Sequence, residues 1–146
     1  SADGARLTVG DSTGRVTVWT VGDREPAGTA ETGTGLPVAR VALSADGRSV
    51  AAPVKGGIAV WSVGAAEPVL TCATDDGAAF RFVQGNERFA TAGRDGTVRV
   101  WNLMGREELA LFGHVGRVTG LGASPDGRTL VSGGANGEVR VWDART

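Results

Sequence analysis

Residues 134–146 read GANGEVRVWDART, and this stretch decides the fold. Asn136-Gly137 is a strong signal for a tight turn between two antiparallel strands. The strand that follows alternates, so that Val139 and Val141 point to one side and Trp142 to the other. Because both sides carry large apolar groups, we expect a sheet that is covered on both faces.

The same phrase occurs four times along the 146-residue chain. Its copies read GRVTVW, GGIAVW, GTVRVW and GEVRVW, and they end about 41 residues apart at Trp19, Trp61, Trp101 and Trp142. A turn frame lies about 18 residues before each tryptophan and reads SADG, SADG, VQGN or SPDG. The 24 glycines are spread along the whole length, as expected for short strands joined by tight turns. The chain is therefore predicted to repeat one small antiparallel sheet.

The frames SPDGRTLVSGG, GEVRVWD and FGH resemble those of WD40-repeat β-propellers, and the resemblance covers essentially the whole chain. It implies an all-β fold whose blades are four-stranded antiparallel sheets set around an axis. The expected blade parts are residues 1–32, 33–75, 76–115 and 116–146. The expected inner strands are PVARVALS (37–44), AAFRFV (78–83) and RVTGLGAS (117–124).

The resemblance also implies a structural tether at each tryptophan, in which His, Ser or Thr, and Asp side chains hold the indole N–H. The predicted tether residues are Trp19, Trp61, Trp101, Trp142, His114, Ser132, Thr91 and Asp95. Asn136 stands where the last copy would have Asp, and the first two copies keep little beyond their tryptophans. We therefore expect apolar packing to hold the blades for the most part.

Both ends of the chain fall inside a blade under this mapping. The first blade begins without its innermost strand and the last ends without its outermost one, which leaves a partial or open ring of about three and a half blades, where closed propellers typically have about 4–8. Two blade faces would then be uncovered. We expect either that the chain is part of a longer propeller or that a second copy closes the ring.

Composition argues against several functional classes. Fifteen basic and sixteen acidic residues leave a net charge of −1, which predicts neither a nucleic-acid backbone nor an acidic membrane surface as partner.

With one His and one Cys, no zinc or other metal site and no catalytic constellation is predicted, and no cofactor is expected. The unpaired Cys72 favours a reducing cytoplasm and a core position. Phe112 is placed on a strand with the other phenylalanines, which leaves few aromatic rings for stacking on a ligand.

What remains is an interaction surface built from loops. The resemblance places the outer-to-inner connections and the central hairpins on one face, where family partners dock. The candidate partner-binding residues are Asp11, Lys55, Asp75, Asp76, Arg94, Arg117 and Asn136. Their mixed charges fit a protein or peptide partner, although each is also an ordinary solubilising loop charge.

The leading hypothesis is a non-enzymatic scaffold or recognition module that binds a protein or peptide. The alternative is a sensor or regulatory propeller within a larger multidomain enzyme, such as a kinase, protease or ATPase. Sequence upstream in the same reading frame would discriminate between the two. An enzyme with its site in the central channel is disfavoured, because the inner strands offer Arg40 and Arg81 without an acid or base partner.

Overall fold

The computed structural model describes residues 1–74, 79–83 and 87–145, and these residues form fourteen β-strands and no helix. The chain divides into two compact units, Ser1–Thr71 and Cys72–Thr146. The earlier strands are β1 (Arg6–Gly10), β2 (Arg15–Thr20), β3 (Pro26–Glu31), β4 (Ala42–Leu43), β5 (Ser49–Val54), β6 (Gly57–Ser62) and β7 (Leu70–Ala73). The later strands are β8 (Ala79–Val83), β9 (Arg88–Ala92), β10 (Val98–Asn102), β11 (Glu107–Leu111), β12 (Val118–Ala123), β13 (Thr129–Gly134) and β14 (Val139–Asp143).

The strands form four antiparallel sheets in chain order. Their strand orders are β1-β2-β3, β4-β5-β6-β7, β8-β9-β10-β11 and β12-β13-β14. We call them the first, second, third and fourth sheets. Each contains one of the four tryptophan strands, β2, β6, β10 or β14. This confirms the predicted all-β fold class, with small antiparallel blades of the WD40 type.

The Ser-x-Asp-Gly frames form the predicted turns. In the last copy, the Ser124 hydroxyl donates to Asp126 Oδ1 at 2.6 Å, and the backbone N–H of Arg128 donates to the same oxygen at 3.1 Å. These two hydrogen bonds hold the pKa of Asp126 below its usual value. Gly127 completes the turn with a positive φ of 64°. In the second and fourth sheets, this frame leads the chain into the second strand, β5 or β13.

Each unit has its own apolar core, and both cores join two sheets in the same way. In the first unit, Val16 and Val18 of the first sheet pack in one cluster with Trp61 of the second sheet. In the second unit, Val98 and Val100 of the third sheet pack with Leu130 of the fourth sheet. The valine side of one sheet therefore covers the tryptophan side of the next in both units.

The prediction of an inner strand over residues 37–44 is wrong in its extent. The strand β4 contains Ala42 and Leu43 alone. The backbone N–H of Val38 donates instead to the carbonyl oxygen of Asp11 at 2.9 Å, in the turn between β1 and β2. Because this bond directs the chain toward the neighbouring hairpin, the stretch before β4 runs as a connection.

Candidate functional site

The fourth sheet carries the most complete tether. Trp142 Nε1 donates to Ser132 Oγ at 2.7 Å, and His114 Nε2 lies 2.6 Å from the same oxygen. Ser132 and His114 are both buried. One hydroxyl therefore joins the connection before β12, the middle strand β13 and the tryptophan strand β14.

Glu138 takes part in this tether, and sequence reasoning missed it. Its Oε2 lies 3.3 Å from His114 Nδ1, a buried nitrogen with no well-directed hydrogen bond among the described residues. The Arg140 guanidinium binds the same carboxylate at 2.5 Å and is the main cause of the lowered pKa of Glu138. Asn136 occupies the expected Asp position. Its Oδ1 accepts a hydrogen bond from the backbone N–H of Glu138, which stabilises the turn. A carboxylate directly after the turn glycine was the available signal.

The third sheet has a shorter tether. Trp101 Nε1 donates to Thr91 Oγ1 at 2.9 Å. Asp95 accepts the backbone N–H of Thr97 at 3.0 Å and binds the Arg99 guanidinium at 2.8 Å. The Arg99 hydrogen bond is the main cause of the lowered pKa of Asp95. In this sheet, the carboxylate thus stabilises its own turn and a neighbouring guanidinium.

The second sheet holds its indole by packing, whereas the indole of the first sheet lies on a partly open face. Trp61 is 2% exposed, and its Nε1 is buried without a hydrogen-bond partner within the described part of the chain. Ala52, opposite Ala59 in the sheet, occupies the position that corresponds to Ser132 and offers no hydroxyl. Trp19 lies opposite Leu7 on a face of the first sheet that is partly open.

In the second unit, three loops of the candidate partner-binding surface lie side by side. The N–H of Val118 donates to the Gly93 carbonyl at 3.1 Å, and the N–H of Ala135 donates to the Arg117 carbonyl at 2.9 Å. These backbone bonds join the β9–β10 hairpin turn, the β11–β12 connection and the β13–β14 hairpin turn. Exposed Arg94, Arg117 and Asn136 thus share one end of this unit.

Two large apolar side chains in the β11–β12 connection are exposed at the same end. Val115 is 82% exposed and Phe112 is 72% exposed. The placement of Phe112 on a strand is wrong, because β11 ends at Leu111. Leu111 pairs with Val98, the first residue of β10 after the β9–β10 turn. Phe112 therefore follows β11 at the end of the sheet where that turn lies. We call Arg94, Phe112, Val115, Arg117 and Asn136 the loop patch.

The other candidate residues lie in the first unit or outside the described residues. In the first unit, Asp11 Oδ1 accepts the Thr13 hydroxyl and the backbone N–H groups of Thr13 and Arg15, which lower the pKa of Asp11. Lys55 is exposed in the two-residue turn between β5 and β6. Asp75 and Asp76 lie outside the described residues. The structure therefore brings together Arg94, Arg117 and Asn136 in the second unit.

The described residues offer little for covalent or metal chemistry. Burial raises the pKa of the Cys72 thiol to about 12, which keeps the sulfur protonated and unreactive near neutral pH. No group of three or more His, Cys, Asp or Glu side chains in the described ranges could hold a metal ion. Likewise, none of these residues forms a helix that could cross a membrane.

These sheets define an all-β protein built from small antiparallel blades. A family model described as "WD domain, G-beta repeat" matches residues 31–102 and 105–143, which is well over half of the chain. The chain therefore belongs to the WD40-repeat family, which confirms the resemblance read from its frames. WD40 repeats are generally interaction modules that mediate contacts between proteins.

Curated relatives match over part of their length. The chain is 41% identical to rat (Rattus norvegicus) coronin-7 over 58 residues, which are 39% of this chain and 6% of that protein. It is 38% identical to the small ribosomal subunit protein RACK1 of Caenorhabditis elegans over 73 residues, which are 48% of this chain and 22% of that protein. It is 39% identical to the ribosome biogenesis protein YTM1 of Eremothecium gossypii over 61 residues, 42% of this chain and 14% of that protein. The matched segment thus spans less than a quarter of each of these relatives.

Proposed function

We propose that this segment is a non-catalytic recognition module that binds a protein or peptide on its loop patch. The observation that carries the proposal is the exposure of Val115 and Phe112 beside Arg94 on loops joined by backbone hydrogen bonds. Aromatic rings and arginines are enriched at protein interfaces. The patch therefore has the composition of a protein-binding surface.

The loops of the patch are fixed before any partner arrives. At the central turn position, a Cβ on Gly96 would lie 2.6 Å from the carbonyl oxygen of His114, so the hairpin turn rests directly on the connection. A site that is already ordered loses less conformational entropy on binding than a flexible one. The proposed mechanism is thus docking on a preorganised surface.

The charges of the patch define the partner class. Arg94 is exposed, whereas the nearby carboxylate of Asp95 is engaged by Arg99. We therefore expect a partner segment that presents apolar side chains together with Asp or Glu. Asp11 and Lys55 of the first unit remain candidate contacts.

Affinity capture with the whole chain tests the proposal. Val115→Asp and Arg94→Glu should each weaken capture of the wild-type partner at least about tenfold, because they remove an apolar anchor and reverse a charge. Met104→Asp and Arg106→Glu are matched controls in the β10–β11 turn, where both side chains are exposed, and should change capture less than about twofold. Partners that survive both patch substitutions but are lost with the controls would contradict the proposal.

The alternative, a sensor portion of a larger enzyme, remains a prediction. Kinase, protease or ATPase sequence in the same reading frame would support it, and turnover that maps to these residues would contradict a non-catalytic role. We also propose a cytoplasmic location, supported by the free and buried thiol of Cys72. Cell fractionation tests this location.

A further inference from the structure

A cluster of charged and polar side chains adjoins the loop patch in the second unit. It contains His114 from the β11–β12 connection, Glu138 just before β14, and Arg140 within β14. The His114 side chain is completely buried. Two nitrogens of the cluster, His114 Nδ1 and Arg140 Nε, are buried without a hydrogen-bond partner in the described residues. Such atoms are uncommon in folded proteins, so the arrangement of this cluster requires a physical reason.

Arg140 packs against the β11–β12 connection at Gly113. A Cβ on Gly113 would lie 2.5 Å from Arg140 Nη1 and 3.2 Å from Trp142 Cη2. The guanidinium also lies over the Trp142 ring, 5.8 Å from its centroid, and its Nη2 binds Glu138. The Arg140 side chain therefore lies between the connection, an aromatic ring and a carboxylate, and only a residue without a side chain fits at position 113.

Glu138 acts on the neighbouring residue of the connection, His114. Its Oε2 lies 3.3 Å from His114 Nδ1. The hydrogen bond from Arg140 is the main cause of the lowered pKa of Glu138, so the carboxylate is an anion at neutral pH. An anion attracts an N–H group and repels the lone pair of an unprotonated ring nitrogen, and water does not screen this effect at a buried ring. Glu138 therefore favours a proton on Nδ1.

Ser132 requires the same arrangement from the other side of the ring. Its Oγ accepts the Trp142 indole N–H, a group that can only donate. In the described part of the chain, the other partner of this oxygen is His114 Nε2, at 2.6 Å. The buried hydroxyl proton therefore has an acceptor only when Nε2 is unprotonated. Both sides of the ring thus favour the tautomer that carries its proton on Nδ1.

We propose that Glu138 and Arg140 are positioning residues for the loop patch: Glu138 holds His114 as the Nδ1–H tautomer, and Arg140 holds the connection at Gly113. The inference rests on the proposed function, because Gly113 and His114 are the two residues between the exposed apolar side chains of the patch. Glu138 and Arg140 belong to the β13–β14 hairpin. They therefore fix the connection to the hairpin, and the patch is presented as one surface.

Asn136 provides a position from which the contact to His114 can be restored. A Cβ on Gly134 would lie 2.6 Å from Asn136 Oδ1 and 3.0 Å from His114 Nδ1, so these two atoms lie around the same point. Asn136→Asp places a carboxylate near the ring nitrogen. It should therefore compensate for the loss of the Glu138 carboxylate in the Glu138→Gln variant.

Nitrogen NMR on the whole chain tests the tautomer without any partner. His114 is the single histidine of the chain, so a long-range proton–nitrogen correlation spectrum contains one imidazole ring. We expect a proton on Nδ1 and none on Nε2 at neutral pH. A proton on Nε2, alone or together with one on Nδ1, would overturn the proposal.

Hydrogen exchange measures whether the cluster holds the loops together. Glu138→Gln should speed the amide exchange of Val118 and Ala135, whose N–H groups join the three loops, at least about tenfold. Glu107→Gln removes another partly exposed carboxylate that binds an arginine of this unit, and should change these rates less than about twofold. Adding Asn136→Asp to Glu138→Gln should restore most of the protection. Equal exchange rates in the Glu138 and Glu107 variants would overturn the proposal.

Capture of the partner separates positioning from direct contact. Loss of the negative charge of Glu138 would by itself strengthen binding to a segment that presents Asp or Glu. We expect instead that Glu138→Gln weakens capture at least about fivefold, because the loops are no longer held in place. Stronger capture would show that Glu138 acts only through its charge and would overturn the proposal. If the wild-type chain captures nothing, the proposed function fails, whereas the tautomer and the exchange rates still decide the positioning role.

Discussion

The Ser132→Ala substitution tests how much the tether contributes to the stability of the second unit. The hydroxyl is fully buried, accepts the Trp142 N–H at 2.7 Å and contacts His114 Nε2 at 2.6 Å. Its removal takes away two hydrogen bonds and leaves their ring nitrogens without this partner. At about 1–2 kcal/mol for each, the free energy of unfolding should fall by about 2–4 kcal/mol. At roughly 3 °C per kcal/mol in a chain of this length, the thermal midpoint should fall by about 6–12 °C.

Urea denaturation followed by tryptophan fluorescence measures this change. Ser132→Thr keeps a hydroxyl, as Thr91 does in the third sheet, and should lose less than about half as much. Thr119→Ala removes an exposed hydroxyl from the same sheet and should cost below ~0.5 kcal/mol. The indole N–H resonance of Trp142 should also shift upfield in Ser132→Ala, since it loses its acceptor. If Ser132→Ala is no more destabilising than Thr119→Ala, the shared hydroxyl does not hold the blade.

Other substitutions and reagents address packing elsewhere. Ala52→Ser should raise the free energy of unfolding by about 1 kcal/mol in urea denaturation, because a hydroxyl there faces the unpartnered Nε1 of Trp61; a decrease would contradict this geometry. Gly96→Ala should cost at least ~3 kcal/mol, since φ is +76° and the new Cβ would lie 2.6 Å from a backbone oxygen. Gly137→Ala, with φ of +85° and no atom within 4 Å, should cost only about 1 kcal/mol by thermal denaturation, and equal losses would refute the clash. Maleimide should label Cys72 only upon unfolding, because burial raises its pKa to about 12; rapid labelling of the native chain would refute this.

Local chemistry in the sequence predicts the sheets well. Asp95-Gly96 and Asn136-Gly137 mark hairpin turns, and the structure has both glycines at positive φ. The alternation around each tryptophan separates one face from the other, as the register of β13 and β14 shows. These features depend on a few neighbouring residues, so a single sequence contains them.

The sequence pattern does not predict features that depend on contacts between residues far apart along the chain. The position of Glu138 after the turn glycine is visible in the sequence, but its approach to within 3.3 Å of His114, 24 residues earlier, is a long-range contact that no local pattern predicts. The stretch before β4 is mostly apolar, like a strand, but the Val38 N–H bonds to the Asp11 carbonyl and directs the backbone toward the neighbouring hairpin. Phe112 continues the apolar pattern of β11. It is nevertheless exposed, because the pairing of β11 with β10 ends at Leu111.

The junction between sheets also bears on how such a chain grows. Every sheet has two unlike sides, and the described cores use the same pair of sides, Val16 and Val18 against Trp61 or Val98 and Val100 against Leu130. An in-frame duplication of about 41 residues therefore inserts a module whose front and back already match its new neighbours. Gene expansion can lengthen or shorten the array without inventing an interface, and selection is left to act on the loops.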